Sequence, residues 1–298
     1  MMNQNNLIDV IIPVAGKGER FYPHTKYTQK CLLPVGDKPI LGHILSKINS
    51  LNINSVKLIT GHFQDKVKEY IENYKNLNIN CIYQSEQLGL AHAIKLGLQK
   101  TENPVLIILG DSIFDIDYVD FCNRTKSNIG VLEVEDPERY GIIELDQDKI
   151  IKFVEKPKNP KSNLAQIGIY YIHSQKKLLN AIDNVITNNI QTKNEYQLPD
   201  AFQFMINDQN KFEYTKINEY MDCGIKKTLL ASNQKIFSSI ESSNFISESA
   251  KVINSNLKYC HISRGCVIKN SSLKNVIVLN DTLIENKILK NEIIGPYD

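Results

Sequence analysis

The fold is decided by the stretch IDVIIPV at positions 8–14, which runs directly into AGKGER at positions 15–20. Its β-branched and aliphatic residues predict a buried strand. Gly16 and Gly18 then let the backbone approach an anion closely and point amide groups at it. Phe21 stands where a dinucleotide-binding fingerprint has its third glycine, and no Gly-Lys-Ser/Thr sequence closes the loop as in a Walker P-loop. Taken alone, these residues leave open a phosphate-binding loop or an ordinary turn.

Strand and helix patterns alternate through the first two hundred residues. Further candidate strands are 55–60, 79–84 and 104–109. Apolar residues at helical spacing separate them, over 40–51, 67–74 and 90–98. This order is typical of an α/β sheet with crossover helices. Consecutive strands follow between residues 129 and 172, so we predict a Rossmann-like α/β domain with a mixed sheet over residues 1–240.

The pattern changes after Ser243, where an aliphatic residue recurs every five or six positions among Asn, Ser and Lys. These residues are Val252, Leu257, Ile262, Val267, Leu273, Val278, Leu283 and Leu289. The spacing resembles the hexapeptide repeat of a left-handed β-helix, in which each aliphatic side chain points into a narrow prism. A loose Asn-rich tail is the alternative. We predict about two coils over residues 241–298, with an open end that favours a homo-oligomeric contact.

Composition and charge exclude several classes of protein. The 298 residues include 35 basic and 33 acidic side chains, a net charge of +2, without blocks of like charge, so we expect no nucleic-acid or membrane partner. The six cysteines lack zinc-site spacing and are interpreted as reduced thiols. The first 16 residues carry no Lys or Arg, and the apolar runs are far shorter than the ~20 residues of a spanning helix. We therefore expect a soluble, cytoplasmic protein without a signal peptide.

A series of motifs continues from the glycine loop to the end of the predicted α/β domain. In order they read GKGERFYPHT at 16–25, KCLLPV at 30–35, QSEQLGLAHA at 84–93, LGD at 109–111, DPERYG at 136–141, EKP at 155–157 and DCG at 222–224. Together they resemble the signature of the sugar-1-phosphate nucleotidylyltransferases. The resemblance covers essentially the whole chain, and its strength lies in the order of the motifs, since each alone is weak.

The resemblance implies a triphosphate and metal site built from four charged residues. Arg20 and Lys30 would hold the triphosphate and offset charge at the α-phosphorus, Arg with a planar fork and Lys as a point charge. Asp111 follows a buried strand, where ligands of open α/β sheets bind, although capping the next turn is its plain alternative. Asp111 and Asp222 would bind Mg²⁺, which uses one or two carboxylates and completes its shell with water and phosphates.

The same resemblance assigns further residues to the nucleotide. Ala15, Gly16 and Gly18 would contact the nucleotide through the glycine loop, together with Arg20 and Asp111. Gln84 would read a pyrimidine base with its side-chain amide, and Gly89 would do so by close approach of its backbone.

Four residues are expected at the sugar phosphate. The resemblance gives Lys156 the phosphate of the sugar-1-phosphate, Glu155 a sugar hydroxyl, Gly141 a backbone contact to the sugar, and Lys193 a second phosphate contact. Glu155 and Lys156 are adjacent on a predicted strand, so we expect their side chains on opposite faces of the sheet. A charge pair on an edge strand is the alternative reading for them.

The reaction implied by the resemblance needs no protein nucleophile. A phosphate oxygen, already largely ionised near neutral pH, attacks the α-phosphate, and catalysis consists of in-line positioning and charge neutralisation. Residues 155–163, 168–170 and 88–93 resemble the glucose-1-phosphate thymidylyltransferases, whereas PVAG at 13–16 is nearer the uridylyltransferases. We therefore expect glucose-1-phosphate with dTTP ahead of UTP.

Three other functions are alternatives to this one. A mannose-1-phosphate guanylyltransferase is the next enzyme, and a non-catalytic regulatory paralogue is the alternative from another class. The paralogue is disfavoured because Lys30, Asp111, Lys156 and Asp222 are all present. An N-acetylglucosamine enzyme with a second acetyltransferase activity is disfavoured because two coils leave no room for an acetyl-CoA site.

Overall fold

The computed structural model describes residues 7–297 and divides the chain into two compact units. Unit 1 comprises Met1–Gly16, Lys47–Gly110 and Phe114–Tyr220. Unit 2 comprises Lys17–Ser46, Asp111–Ile113 and Met221–Asp298. Each unit is therefore assembled from segments that are distant in the sequence.

The strands and helices predicted between residues 8 and 109 occur in the expected order, among further short elements that were not predicted. The strands are β1 Ile8–Pro13, β2 Pro34–Val35, β3 Lys38–Pro39, β4 Ile53–Thr60, β5 Ile79–Tyr83, β6 Val105–Ile108, β7 Ser112–Phe114, β8 Ser127–Glu133, β9 Gly141–Asp146, β10 Lys149–Glu155, β11 Leu164–Ile172, β12 Phe212–Lys216, β13 Tyr220–Asp222, β14 Asn244–Ile246, β15 Lys251–Ile253, β16 Asn256–Lys258, β17 Cys260–Ile262, β18 Val267–Lys269, β19 Ser272–Val278, β20 Leu283–Glu285 and β21 Ile288–Ile294. The helices are α1 Ile40–Ile48, α2 Gln64–Ile71, α3 Leu90–Gly97, α4 Tyr118–Cys122, α5 Gln175–Thr187, α6 Leu198–Asn207 and α7 Lys226–Ser239.

Unit 1 is built on a nine-stranded mixed sheet. Its main path is β10-β9-β11-β6-β1-β4-β5, with β8 paired to β11 and β12 paired to β8. Strand β1 runs parallel to β4 and β6, whereas β11 runs antiparallel to β6, β8 and β9. The predicted mixed α/β architecture is confirmed.

The core of unit 1 lies between the sheet and helices α3, α5 and α6. Ile11 of β1 is buried there with Ile59, Val105 and Ile94. A methyl group at Gly97 would lie 2.9 Å from Cδ1 of Ile11, so helix α3 packs against β1 without room for a side chain at that point. The apolar run that predicted strand β1 is therefore buried because helices cover it.

The C-terminal strands of unit 2 form parallel sheets with a repeat of sixteen residues. Asn244 pairs with Cys260, Lys251 with Val267, Asn256 with Ser272, and Val267 in turn with Leu283. The stack β15-β18-β20 is three strands deep, and the stack β14-β17-β19-β21 is four strands deep. The C-terminal strands therefore make more layers than the two coils expected from the sequence.

The asparagines of this region occupy turns that need a left-handed backbone. Asn254, Asn270 and Asn286 have φ of 46°, 47° and 55° and lie sixteen residues apart at one corner of the repeat. Asn275 and Asn291 have φ of 53° and 56° at a second corner, where the Nδ2 of Asn275 donates to Oδ1 of Asn291 at 2.9 Å. Asn is the residue after Gly that best tolerates this conformation, which explains the Asn-rich composition.

The inward orientation predicted for the eight aliphatic side chains was wrong for two of them. Leu283 is 63% exposed and Val267 is half-buried, whereas the next residues, Ile284 and Ile268, point into the core with Cys266. Both segments carry two aliphatic residues in succession, and the five-to-six spacing fits either one. The sixteen-residue repeat pairs Val252 with Ile268 and Ile268 with Ile284, so the second aliphatic residue of each segment points inward.

Asn233 of helix α7 ties the C-terminal strands to the β2–β3 hairpin within unit 2. It is fully buried, and its Oδ1 accepts from the backbone amide of Gly36 at 2.8 Å. Its Nδ2 donates to the backbone oxygen of Tyr259 and to Oδ1 of Asn275, each at 2.9 Å. His261 adds a second link, since its Nδ1 lies 2.8 Å from the carbonyl oxygen of Gly36.

The helices found among residues 7–297 all lack the combination of length and apolarity that crossing a bilayer requires.

Candidate active site

Lys30 and Asp111, 81 residues apart in the sequence, form an ion pair in unit 2. The Nζ of Lys30 donates to Oδ2 of Asp111 at 2.7 Å, and their side chains are 20% and 36% exposed. Lys30 opens a single-turn 3-10 helix, and Asp111 follows the end of buried strand β6. A cation and a carboxylate thus lie together where solvent still has access.

Asp222 joins this pair around the thiol of Cys223. The backbone amide of Cys223 donates to the carbonyl oxygen of Asp111 at 2.8 Å, which places the DCG segment beside Asp111. Burial raises the pKa of the Cys223 thiol, and the carboxylates of Asp111 and Asp222 act in the same direction. Lys30 opposes them. The segment that carries Asp222 therefore lies beside the ion pair of Lys30 and Asp111, and the metal role of the two carboxylates stays a prediction.

The part of the glycine loop that belongs to unit 2, at Gly18, is held by the buried Thr25. Gly18 has φ of 68°, and its carbonyl oxygen accepts from the hydroxyl of Thr25 at 2.8 Å. A side chain at Gly18 would meet Cγ2 of Thr25 at 3.0 Å and Cβ of Lys30 at 3.2 Å. Arg20 lies exposed on the one-turn 3-10 helix Glu19–Phe21, with its side chain available to an anion.

The remaining nucleotide-binding candidates lie in unit 1. Ala15 is buried and its carbonyl oxygen accepts from Nε2 of Gln87 at 3.0 Å, whereas Gly16 is exposed with open space around it. Gln84 is buried, and its Nε2 lies 3.3 Å from Nδ1 of His92. Gln84 follows β5, and Ala15 follows β1, at the carboxyl ends of two parallel strands of one sheet.

A close contact within the protein requires a glycine at position 89. It has φ of 112°, and a side chain there would lie 2.6 Å from the carbonyl oxygen of Tyr196 and 2.7 Å from its amide nitrogen. The amide of Tyr196 donates to the carbonyl oxygen of Leu88 at 2.9 Å. The backbone at residue 196 thus occupies the space beside Gly89, and the expected contact of Gly89 with a base stays a prediction.

Gly141, Glu155 and Lys156 come together in unit 1. A side chain on Gly141 would lie 2.8 Å from Oε2 of Glu155, so glycine leaves the space in which the carboxylate sits. The Nζ of Lys156 lies 3.1 Å from Oε1 of Glu155. The expectation that these two side chains point to opposite faces was therefore wrong. Strand β10 ends at Glu155, and Lys156 has φ of 43°, so the alternation of an extended strand no longer applies.

Lys193 lies in a tight turn of unit 1 between helices α5 and α6. Lys193 and Asn194 have φ of 55° and 63°, and the turn is closed by a bridge between Thr192 and Glu195. The side chain of Lys193 is exposed. Among the contacts described for residues 7–297, none joins Lys193 to Glu155 or Lys156, so its phosphate role stays a prediction.

Sequence reasoning missed two polar residues of unit 1, the buried Gln166 and the half-buried Asp200. The amide nitrogen Nε2 of Gln166 lies 3.0 Å from the position a Gly141 side chain would take. Burial raises the pKa of Asp200, and Glu155 adds to that effect, although a hydrogen bond from Thr192 opposes it. A polar residue within an otherwise apolar strand was the available signal for Gln166. Asp200 gave none beyond its place in the first turn of α6.

The donor chemistry of unit 2 fits a magnesium ion. Asp111 and Asp222 supply two carboxylates, and Mg²⁺ takes its other ligands from water and substrate phosphates. Oδ1 of Asp222 accepts from the amide of Gly224 at 2.7 Å, which fixes the carboxylate. Groups of three or more His, Cys, Asp or Glu side chains suited to a metal are absent from residues 7–297. A metal held here would therefore depend on the substrate for part of its shell.

Residues 9–239 match the family model described as nucleotidyl transferase. The chain therefore belongs to the nucleotidyl transferase family, and the resemblance to its sugar-1-phosphate members is confirmed.

Individual relatives show what this chain is similar to. It is 34% identical over 235 residues to the bifunctional protein GlmU of Methanocaldococcus jannaschii, a match that covers 78% of this chain and 55% of that protein. It is 28% identical over 257 residues to a Sulfolobus acidocaldarius protein named "Putative mannose-1-phosphate guanyltransferase", covering 83% of this chain and 68% of that one. The chain thus spans little more than half the length of the GlmU proteins that it matches.

A solved structure supports the same fold. It is described as a "Putative Glucose-1-Phosphate Thymidylyltransferase" from Bacillus anthracis in complex with a sucrose. The two chains align with a TM-score of 0.67 at 28% identity, and the alignment covers 78% of this chain and 96% of that one.

Proposed function

We propose that the protein transfers a nucleotidyl group from a nucleoside triphosphate to a sugar-1-phosphate, releasing diphosphate. The observation that carries the proposal is the ion pair between Lys30 and Asp111, beside which the backbone amide of Cys223 holds the segment of Asp222 at 2.8 Å from the carbonyl oxygen of Asp111. A cation beside two carboxylates suits a metal-bound polyphosphate, since the carboxylates hold the ion and the ammonium offsets phosphate charge. Membership of the nucleotidyl transferase family supports the same chemistry.

In the proposed reaction a phosphate oxygen of the sugar-1-phosphate attacks the α-phosphorus. A new P–O bond forms, and the bond from the α-phosphorus to the bridging oxygen of the β-phosphate breaks, so that diphosphate leaves with the electron pair. Mg²⁺ held by Asp111 and Asp222 would supply charge neutralisation. Lys30 and Arg20 would stabilise the charge on the triphosphate, and Lys156 would hold the attacking phosphate.

The proposed substrates are glucose-1-phosphate and a pyrimidine nucleotide, dTTP ahead of UTP. The solved structure described as a glucose-1-phosphate thymidylyltransferase supports this choice at 28% identity. The relative named as a mannose-1-phosphate guanyltransferase, also at 28% identity, favours the second candidate, GTP with mannose-1-phosphate. Ala15, Gly16, Gly18, Gln84 and Gly89 would bind the nucleotide.

Several further features belong to the proposal. Gly141, Glu155 and Lys193 would bind the sugar phosphate with Lys156. Residues 1–240 would form the catalytic domain, and residues 241–298 would form a left-handed β-helix, a geometry compatible with the parallel strands and their left-handed corners. We also propose self-association through the C-terminal strands and a cytoplasmic location.

The experiment is a matrix of diphosphate release. dTTP, UTP, GTP and ATP are each combined with glucose-1-phosphate, mannose-1-phosphate or N-acetylglucosamine-1-phosphate, with Mg²⁺ or with a chelator. We expect the fastest release from dTTP and glucose-1-phosphate, and none with the chelator. Release from no pairing would overturn the proposal in favour of a non-catalytic paralogue.

A matched pair of lysine variants shows whether the activity comes from this site. Lys30→Ala removes the partner of Asp111 and should abolish release. Lys216→Ala removes an exposed ion pair of similar length, 2.6 Å to Glu133, and should leave release unchanged. Equal activity in both variants would contradict the role of Lys30.

A further inference from the structure

A pair of tyrosine rings joins the loop 17–29 of unit 2 to the segment that follows β21. The centroids of the Tyr27 and Tyr297 rings are 5.0 Å apart, and the ring planes meet at 37°. The Nζ of Lys26 lies 5.3 Å from the centroid of Tyr27 and 5.9 Å from that of Tyr297. Two distant parts of the sequence therefore share one cation as well as a ring contact.

Both rings of this pair face solvent. Tyr27 is 45% exposed and Tyr297 is 63% exposed. Ring pairs and cation–π contacts at exposed positions are weak compared with the burial of a core side chain. Contacts of that strength have little influence on the global stability of a domain, but they can select one conformation of a surface loop.

The loop contacted by Tyr297 leads directly to Lys30. Its regular structure is limited to the helical turn Glu19–Phe21. Thr25 and Gln29 are buried, whereas Tyr27, midway between them, is exposed. The ring of Tyr297 thus supports the exposed turn between two buried anchors. Because Gln29 precedes Lys30, a displacement of this turn would move the lysine that pairs with Asp111.

The segment that carries Tyr297 is held firmly. Strand β21 pairs with β19 as far as Ile294, whose carbonyl oxygen accepts from the amide of Leu279 at 2.8 Å. Ile293 is buried, and Ile294 packs against the core of the C-terminal strands. Tyr297 follows this strand by three residues, so its ring has a well-packed support from which it can restrain a less regular loop.

We propose that Tyr297 is a positioning residue for the triphosphate. By stacking on Tyr27 it holds loop 17–29 in the conformation in which Arg20 and Lys30 bind phosphate oxygens. This inference rests on the proposed function, since it takes these two cations as the triphosphate site. It adds that the C-terminal strands contribute to substrate binding. A loop without its outside support populates the binding conformation less, and the apparent affinity falls by that fraction.

The first test measures triphosphate binding in the absence of a sugar phosphate. dTTP, UTP, GTP and ATP, each with Mg²⁺, are titrated by calorimetry into the wild type, Tyr297→Ala and Tyr297→Phe. For each triphosphate that the wild type binds, we expect Tyr297→Ala to raise the Kd by about 3- to 10-fold. Tyr297→Phe keeps the ring and should bind like the wild type. Added to Tyr27→Ala, the change Tyr297→Ala should have no further effect, because the two rings act as one pair.

Steady-state kinetics separates positioning from a general structural effect. In Tyr297→Ala the KM for the triphosphate should rise, whereas kcat and the KM for the sugar-1-phosphate should stay within about twofold of the wild type. Ile288→Ala is the matched control, because Ile288 lies on β21 and is 88% exposed. It should leave every constant unchanged. The urea midpoint should be the same in all these variants, since none of them removes a buried side chain.

A fluorescence measurement tests the ring contact without any substrate. The chain contains no tryptophan, so Tyr297→Trp introduces a single reporter. Its emission is compared with that of the double variant Tyr297→Trp/Tyr27→Ala. We expect the double variant to emit at longer wavelength, because the indole loses the ring that shields it from water. Identical emission from the two proteins would show that the rings do not stack in solution and would overturn the inference.

The remaining outcomes distinguish this inference from the transfer reaction. An unchanged Kd in Tyr297→Ala would overturn the positioning role and leave the transfer reaction in place. A Kd that depends on Tyr297, without diphosphate release from any pairing, would support the positioning role and overturn the transfer reaction. Failure of all four triphosphates to bind the wild type would overturn both.

Discussion

Glu155 and Lys156 are neighbours in the sequence, yet their charged groups lie on the same side of the chain, with Nζ of Lys156 3.1 Å from Oε1 of Glu155. The left-handed backbone of Lys156, φ 43°, produces this geometry, and its amide donates to the carbonyl oxygen of Tyr140 at 3.0 Å. The Glu155 side chain is 10% exposed and that of Lys156 is 38% exposed. The carboxylate proposed for a sugar hydroxyl and the cation proposed for the sugar phosphate thus lie side by side.

Replacing Lys156 should impair use of the sugar-1-phosphate and leave the nucleotide almost unaffected. Loss of a charge-assisted hydrogen bond of about 1.5–3 kcal/mol lowers kcat/KM for the sugar-1-phosphate by roughly 10- to 100-fold. Lys156→Gly is the better variant than Lys156→Ala, because glycine adopts a φ of 43° without strain. Steady-state kinetics with each substrate varied in turn measures the effect.

Lys158→Ala is the control for that measurement, since Lys158 is an exposed lysine two residues further on. It should retain wild-type kinetics. A change confined to the KM of the nucleotide in Lys156→Gly would show that the two phosphate sites have been assigned the wrong way round.

Asp111→Asn should abolish Mg²⁺-dependent turnover while the fold remains intact. The substitution keeps the size of the side chain but removes the charge that pairs with Lys30 at 2.7 Å and that would hold the ion. We expect at least a 100-fold loss of diphosphate release, the order of effect seen when one electrostatic group of an active site is removed. Titration with Mg²⁺ measures activity, and circular dichroism checks the fold.

Asp120→Asn is the comparison for Asp111→Asn. Asp120 forms an exposed ion pair with Arg124, also at 2.7 Å, and its loss should leave turnover unchanged. Unchanged activity in Asp111→Asn at every Mg²⁺ concentration would refute its metal role.

Much of the fold follows from short-range patterns, because hydrophobic periodicity reflects burial directly. The run at 8–14 becomes β1, and the alternating strands and helices of unit 1 form within a few residues of their expected bounds. The turn at Lys156 could not be seen, because a lysine carries no signal for a left-handed backbone. That single residue reversed the expected orientation of a side chain assigned to the site.

Contacts between residues that are distant in the sequence could be predicted only from the motif resemblance. Nothing in the spacing of Lys30 and Asp111 indicates an ion pair across 81 residues. Cys223, which is fully buried and donates its amide to the carbonyl oxygen of Asp111, carried no motif of its own beyond the DCG segment. In the C-terminal strands, the choice between Leu283 and Ile284 depended on a sixteen-residue register that only the pairing of strands reveals.

That register gives a stability test with a built-in control. Ile284 is 4% exposed and belongs to the core of the C-terminal strands, whereas Leu283 is 63% exposed. Ile284→Ala should lower the free energy of unfolding by about 2–4 kcal/mol, the usual cost of truncating a buried Ile. Leu283→Ala should change it by less than about 0.5 kcal/mol. Urea unfolding measures both, and the reverse order would show that the inward phase is the one expected from the sequence.

His261 should make the protein less stable in mild acid. Burial lowers the pKa of its imidazole to about 4, although the hydrogen bond to Gly36 and the charge of Asp37 act in the opposite direction. His43 adds to the lowering. In the unfolded chain the ordinary value is 6.5, so the unfolded state binds a proton first as the pH falls. Stability is therefore retained above pH 6.5 and lost between about pH 6.5 and 4, by about 3 kcal/mol in all.

The measurement is urea unfolding at several pH values between 7 and 4 for the wild type and for His261→Asn. Asn keeps a donor near the Nδ1 position, which lies 2.8 Å from the Gly36 carbonyl oxygen, and it has no proton to gain in this range. The variant should therefore be less sensitive to acid than the wild type by about 3 kcal/mol over the window. His62→Asn, which changes an exposed histidine, should follow the wild-type profile. Parallel profiles for the wild type and His261→Asn would mean that the imidazole is protonated as readily in the folded protein as in the unfolded chain.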